Sequence, residues 1–153
     1  MKTIIAIDPG TVESAVIGWD GSIISTMVKL PNEAVLGSIY SLCPDFILAI
    51  EMIASYGMAV GKEVFETCVW IGRYYEAWEN RTHVKPQLVY RSDVKSFWCH
   101  SARAKDSNIR QALIDRFGPP GKKASPGLTY GLAGDMWQAF AIAAMVADQY
   151  PVQ

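Results

Sequence analysis

Residues 1–14, MKTIIAIDPGTVES, run four apolar residues, Ile4, Ile5, Ala6 and Ile7, directly into Asp8, Pro9, Gly10 and Thr11. The apolar run predicts a strand over residues 2–7 that ends on a carboxylate. A charge at the end of a buried strand is costly unless it is paired, hydrated or bound to a metal. Asp-Pro and Pro-Gly are also ordinary turn signals, so the stretch alone supports a plain turn equally well. The decision rests on whether other acids reach the same edge of the sheet.

Downstream, Ala15–Trp19 and Ser22–Lys29 predict two further strands joined at Asp20-Gly21, a strong hairpin signal between apolar runs. Pro31 breaks the chain, and residues 32–42 are weakly helical. Phe46–Ile50 predicts a short strand that ends at Glu51, followed by a loop over Met52–Gly57. Residues 60–79 predict a long helix, with Val64, Cys68, Ile71, Tyr75 and Trp78 on one apolar face and Trp70 and Tyr74 beside it. Gln87–Tyr90 predicts a fifth strand. Ser92 is placed to cap a short helix to about His100. Lys105–Phe117 predicts another helix, with Asp106 or Ser107 as its cap and Gly118 just past its end. Residues 119–132 predict a mobile loop. The last helix is expected from Gly134 to about Tyr150, with Met136, Phe140, Ala143, Ala144 and Ala147 inward. Three meandering strands, then strands alternating with helices, predict an α/β fold with a mixed five-stranded sheet flanked by helices.

The chain has 153 residues, 50% hydrophobic and 19% charged, which predicts a single globular domain over residues 1–153 and excludes disorder. No run of about 18 apolar residues spans a membrane, and Asp8 interrupts the N-terminal apolar run in a way a secretory signal would not. Cys43, Cys68 and Cys99 are far apart and odd in number, so they fit neither a zinc site nor a disulfide framework. They read as reduced, mostly core-packed thiols of a cytoplasmic protein. The net charge of −1 hides a split: residues 80–125 carry ten Lys/Arg against three Asp/Glu, and the remainder four against twelve. Such asymmetry favours a surface facing a polyanion.

If the first and fourth strands are parallel neighbours, Asp8 and Glu51 meet at one sheet edge. Asp135, at the start of the last helix, is a third acid, although the helix dipole alone would favour an anion there. Converging carboxylates repel and raise one another's pKa. A hard divalent cation relieves that repulsion, and oxygen ligands without His or Cys suit Mg²⁺ or Mn²⁺. Two such ions about 4 Å apart can activate a water and stabilise the leaving oxygen of a phosphodiester.

Four motifs, "IAIDPGT", "FILAIE", "DVK" with the later "KDSNIRQALIDRFG", and "GDMWQAFAIAAMVA", together resemble RuvC-type Holliday junction resolvases. The likeness is nearest to the short, divergent relatives of phages and prophages, and it covers nearly the whole chain in order. It implies an RNase H-like fold, a homodimer, and Mg²⁺-dependent cutting of branched DNA with two ions per site, in a bacterial host cytoplasm if phage-encoded. Symmetric nicks across a four-way junction need two active sites. By the same resemblance Asp8 and Glu51 match the first- and fourth-strand acids, and Lys95 and Lys105 match two lysines near the scissile phosphate. The family's last motif is acid or His, two residues, then Asp. Asp135 fits its first position, but Gln138 stands where the final Asp belongs. Either Asp135 is the third ligand and Gln138 assists through its carbonyl oxygen, or one metal site is weakened and the chain binds branched DNA without cutting it.

Gly10 permits either close approach to a phosphate or a plain turn. Arg91, Arg103 and Arg110 are candidate contacts to the DNA backbone. The family's base-stacking aromatic corresponds to Ala54 here; Tyr56 either substitutes as a wedge or packs. "IDPGT" also resembles the phosphate-binding opening of actin-like and sugar-kinase proteins, which fold as two such domains, leaving a nucleotide-binding fragment as a further alternative.

Overall fold

The computed structural model describes residues 2–149. Strands β1 (Ile4–Asp8), β2 (Glu13–Trp19), β3 (Ile24–Pro31), β4 (Ile47–Met52) and β5 (Gln87–Tyr90) form one sheet in the order β3-β2-β1-β4-β5. The first three pair antiparallel, whereas β1–β4 and β4–β5 are parallel. The β2–β3 turn is closed by Asp20, whose Oδ1 accepts the amides of Ser22 and Ile23, and Gly21 takes a φ of +97°. The third strand begins at Ile24, two residues later than expected.

Alternation along the strands sorts side chains onto two faces. Ile5, Ile7, Leu48 and Ile50 face α1 (Asn32–Ile39) and α2 (Lys62–Thr82), whereas Ile4, Ala6 and Ala49 face α5 (Met136–Gln149). The buried side of α2 is Thr67, Ile71, Tyr74, Ala77 and Trp78. The expected face was therefore rotated by about one residue: Tyr74 is buried, and Tyr75 lies only partly covered.

Helix α5 has no solvent face over Trp137–Ala147. It lies between the sheet and the outer helices α3 (Arg91–Cys99) and α4 (Asp106–Phe117), and Trp98 Nε1 donates to the Ala141 carbonyl at 3.0 Å. The expected end near Tyr150 lies outside the described residues. Residues 119–132 are not a featureless loop, since β6 (Gly121–Lys122) and β7 (Ser125–Pro126) form a small hairpin.

Two expected caps differ. Helix α3 starts at Arg91, with Tyr90 rather than Ser92 before it. Lys105 precedes α4, and its amide is satisfied by Asn108 Oδ1 at 2.9 Å. Gly118 ends α4 as expected, at a φ of +89°. The cysteines are free: Cys43 is exposed, and Cys68 and Cys99 are partly covered, Cys99 packing against the core on the α5 side.

Candidate active site

Register brings the two acids together, although β4 runs on through Glu51 to Met52 instead of stopping at Ile50, because Glu51 and Met52 still pair with β5. Ile7 lies opposite Ile50 across the parallel β1–β4 pair, so the next residues are Asp8 and Glu51. Both share the parity of the residues that face α5. Asp135 stands immediately before that helix, where its carbonyl accepts the Ala139 amide, and Gln138 lies in the helix's first turn. Asp8, Asp135 and Gln138 line a cleft of about 290 Å³.

The electrostatics of the pair are strained. Burial, then the charges of Glu51 and Asp135, push the Asp8 carboxyl up to about 9. Burial also raises Glu51, only partly offset by Arg91. Arg91 Nη1 donates to Glu51 Oε1 at 3.3 Å, and its Nη2 bonds Asp106. Burial opposes the Arg91 charge, yet Glu51 and Asp106 outweigh it and hold the guanidinium more firmly protonated than usual. Arg91 is thus engaged by two carboxylates beside the acidic cleft.

Asp135 is drawn to Lys29, whose Nζ sits 2.8 Å from Oδ2. The expected cage of three acids is therefore only partly assembled: among the described residues no three His, Cys, Asp or Glu side chains are grouped to hold a metal ion. What is assembled is the Asp8–Glu51 pair. Glu51 Oε2 is buried without a hydrogen-bond partner, as is Gln138 Nε2 beside it. A buried, repelling carboxylate pair with an orphaned oxygen fits a hard divalent cation, which takes oxygen ligands and removes the repulsion.

The remaining candidates are distributed around this centre. Lys95 lines a second cleft of about 210 Å³ with Tyr56, Ser92 and Arg91, the last shared with the acidic cleft. Tyr56 is 61% exposed, which excludes core packing. It occupies a tight turn with Gly57, at φ values of +50° and +80°, and its hydroxyl accepts the Ser92 amide at 3.3 Å. Lys105 is exposed beside Asp106 but lines neither cleft; Arg103 is exposed in the α3–α4 turn. Arg110 lines the acidic cleft and lies over the Trp137 ring at 4.6 Å.

Gly10 is explained by the turn itself. A Cβ there would stand 2.4 Å from the Glu13 carbonyl oxygen. Its own carbonyl accepts Asn32 Nδ2 at 2.9 Å, and Asn32 Oδ1 accepts the Ser14 hydroxyl at 2.6 Å. Ser14 also meets the Tyr74 hydroxyl at 3.1 Å. This buried network fixes the β1–β2 turn beside Asp8.

Sequence reasoning missed Lys29, Asp106, Trp137 and the Asn32 network. Lys29 had a signal: hairpin register sets it opposite Ala15, which is opposite Asp8. Asp106 and Trp137 had none, because their position depends on how α4 packs on α5.

The sheet order, the parallel β1–β4 step and the helical layers are those of an RNase H-like fold of the RuvC kind. A structure of Thermus thermophilus RuvC matches with a TM-score of 0.66 at 13% identity, over 97% of this chain and 96% of that one. T. thermophilus RuvC in complex with Holliday junction substrate matches with a TM-score of 0.67 at 14% identity, over 98% and 95%. Neither a protein-family model nor a curated protein sequence matches the chain. Among the described residues no helix is long and apolar enough to cross a membrane.

Proposed function

We propose that this protein is a divalent-metal-dependent endonuclease acting on Holliday junctions or other branched DNA, a short relative of the phage and prophage resolvases. The observation that carries the reading is the pair of acids on adjacent parallel strands, Asp8 as the last residue of β1 and Glu51 within β4, with Glu51 Oε2 buried and without a close hydrogen bond. It sits in a fold that matches a RuvC–junction complex nearly end to end.

Asp8 and Glu51 would hold the cation, and Asp135 and the Gln138 carbonyl oxygen are the further oxygens in the same cleft that could join them. Bound there, Mg²⁺ or Mn²⁺ supplies a Lewis acid and a water of lowered pKa for phosphodiester hydrolysis, two ions serving each site in the arrangement the resemblance implies. Arg91 keeps Glu51 oriented and Lys29 restrains Asp135. Lys95 and Lys105 offset charge on the phosphate, while Arg103, the Gly10 turn and Tyr56 contact the DNA. A homodimer joined through α2 would set two sites on one junction; Phe65 and Val69 are 64% and 63% exposed along that helix, next to an uncovered Gly72.

A second reading, a non-cutting binder of branched DNA, is favoured by the neutral Gln138 and by the Lys29–Asp135 pair. Labelled four-way junctions incubated with Mg²⁺ and with Mn²⁺ separate the two. A nuclease nicks them and loses nicking, not binding, in Asp8→Asn. Binding without nicking across pH and metal series would leave the binder. The nucleotide-binding alternative has only the β1 turn in its support, and lack of thermal stabilisation by ATP would remove it.

A further inference from the structure

Three cations surround the acidic cleft, and two are already neutralised. Arg91 is bonded to Glu51 and Asp106, and Lys29 to Asp135. Arg110 makes no ion pair with any described residue. Its natural helical partner is Asp106, one turn earlier at i−4, but Asp106 is taken by Arg91. The Arg110 guanidinium instead lies over the Trp137 ring at 4.6 Å. Trp137 is itself fixed: it is 7% exposed, and its Nε1 donates to the Leu132 carbonyl at 3.1 Å. A cation over an aromatic face is held without being discharged. Both residues line the cleft that holds Asp8, Asp135 and Gln138.

We infer that Arg110, braced on Trp137, is the group that binds the phosphodiester undergoing attack, through paired N–H donors to its non-bridging oxygens. This rests on the nuclease reading above and deepens it. A phosphodiester entering a cleft lined by carboxylates meets repulsion, and the only charge in the wall free to offset it is this guanidinium. A planar fork matches two phosphate oxygens at once, whereas an ammonium offers a point charge. The stacking also orders the side chain before substrate arrives, which lowers the entropy lost on binding.

The test combines two readouts on Arg110→Lys and Arg110→Gln, both at an exposed helix position that leaves the core intact. In the first, dimethyl phosphate is titrated into the metal-free protein while the arginine Nε–H signals are followed by NMR; the Arg110 signal is assigned by its loss in the variants. It is expected to move with dimethyl phosphate, and a signal that stays still throughout the titration overturns the inference. In the second, single-turnover nicking is measured on saturating four-way junction. Both variants are expected to fall by about 100-fold or more, the usual effect of losing one preorganised donor, with junction affinity held within about threefold. Wild-type rates in Arg110→Lys, or a loss confined to affinity, overturn it. If wild type never nicks while dimethyl phosphate still moves the Arg110 signal, the nuclease reading falls and the phosphate site stands. If both variants nick normally, the reverse holds.

Discussion

Arg91 Nη1 donates to Oε1 of Glu51 at 3.3 Å, while Oε2 of the same carboxylate is buried with no partner. One oxygen of the group is held by Arg91, and the other makes no close hydrogen bond although the Asp8 and Gln138 side chains lie beside it. Removing the arginine leaves a buried charge without its ion pair. Arg91→Gln is expected to destabilise the metal-free protein by about 1–3 kcal/mol, the cost of an unsatisfied buried polar group. Adding Glu51→Gln should recover most of that loss. Urea denaturation of the two single variants and the double variant measures the coupling, and additive effects would show the pair to be energetically idle.

Burial of Asp8, and then its repulsion by Glu51 and Asp135, makes stability depend on pH in an unusual direction. The Asp8 carboxyl is raised from 3.8 to about 9 in the folded chain, so across that window the folded state holds a proton the unfolded state has released. Stability from this group is full below about 3.8, falls as pH rises through the window, and is gone by about 9. The metal-free protein should therefore melt lower at pH 8 than at pH 6. Asp8→Asn should remove much of that slope and raise the metal-free melting temperature at pH 8. Mg²⁺ or Mn²⁺ should restore stability to wild type and not to the variant. Scanning calorimetry at both pH values, with and without metal, checks all three.

Lys29 and Asp135 form an exposed pair, with side chains 41% and 58% accessible. Such pairs contribute about 0–1 kcal/mol, so Lys29→Gln should barely change the denaturation midpoint. It should free Asp135 for the cleft and remove a positive charge from its rim. Mn²⁺ affinity by calorimetric titration is expected to rise about threefold to tenfold, the scale of one charge acting across a solvated cleft. An unchanged affinity would mean that Asp135 takes no part in holding the ion.

The network of Ser14, Asn32 and Tyr74 is buried, and each member depends on the others. Asn32→Ala should cost about 1–3 kcal/mol by removing the donor to the Gly10 carbonyl and the Oδ1 acceptor of the Ser14 hydroxyl, which keeps only Tyr74 as a side-chain partner. Because the same network fixes the β1–β2 turn, nicking should fall as well, under conditions where the variant is still fully folded. Retained activity in a destabilised Asn32→Ala would confine the network to a folding role.

The layout of the sheet was legible because periodicity and turn chemistry are local. Ile4–Ile7 and Phe46–Ile50 are apolar on both faces, as buried strands are, and each is followed by an acid that register then aligns. Asp20-Gly21 fixed the hairpin for an equally local reason. The phase of α2 was misjudged because an aromatic-rich helix offers several apolar faces, and only packing chooses Tyr74 over Tyr75. The pairing of acids with Arg91 and Lys29 was hidden for a different reason. Asp8 and Glu51 follow from strand register, but the cations arrive from a helix start and an edge strand whose approach is set by the tertiary fold. The same holds for Arg110, which was legible as a cation near DNA and not as one seated on Trp137.

The wholly enclosed path of α5 carries a consequence for altering this protein. Ala139, Ala141, Ala143 and Ala144 have essentially no accessible surface, so the helix approaches its neighbours through side chains one methyl deep. The two extra carbons of a valine at any of them would have to be taken up by a shift of the helix against its neighbours. The residues at its leading end, Asp135 and Gln138, would swing with it. Chemistry at the cleft is thus set in part by spacers along the first turns of the same helix, and swapping one alanine for valine there should detune the reaction centre without changing any of its side chains.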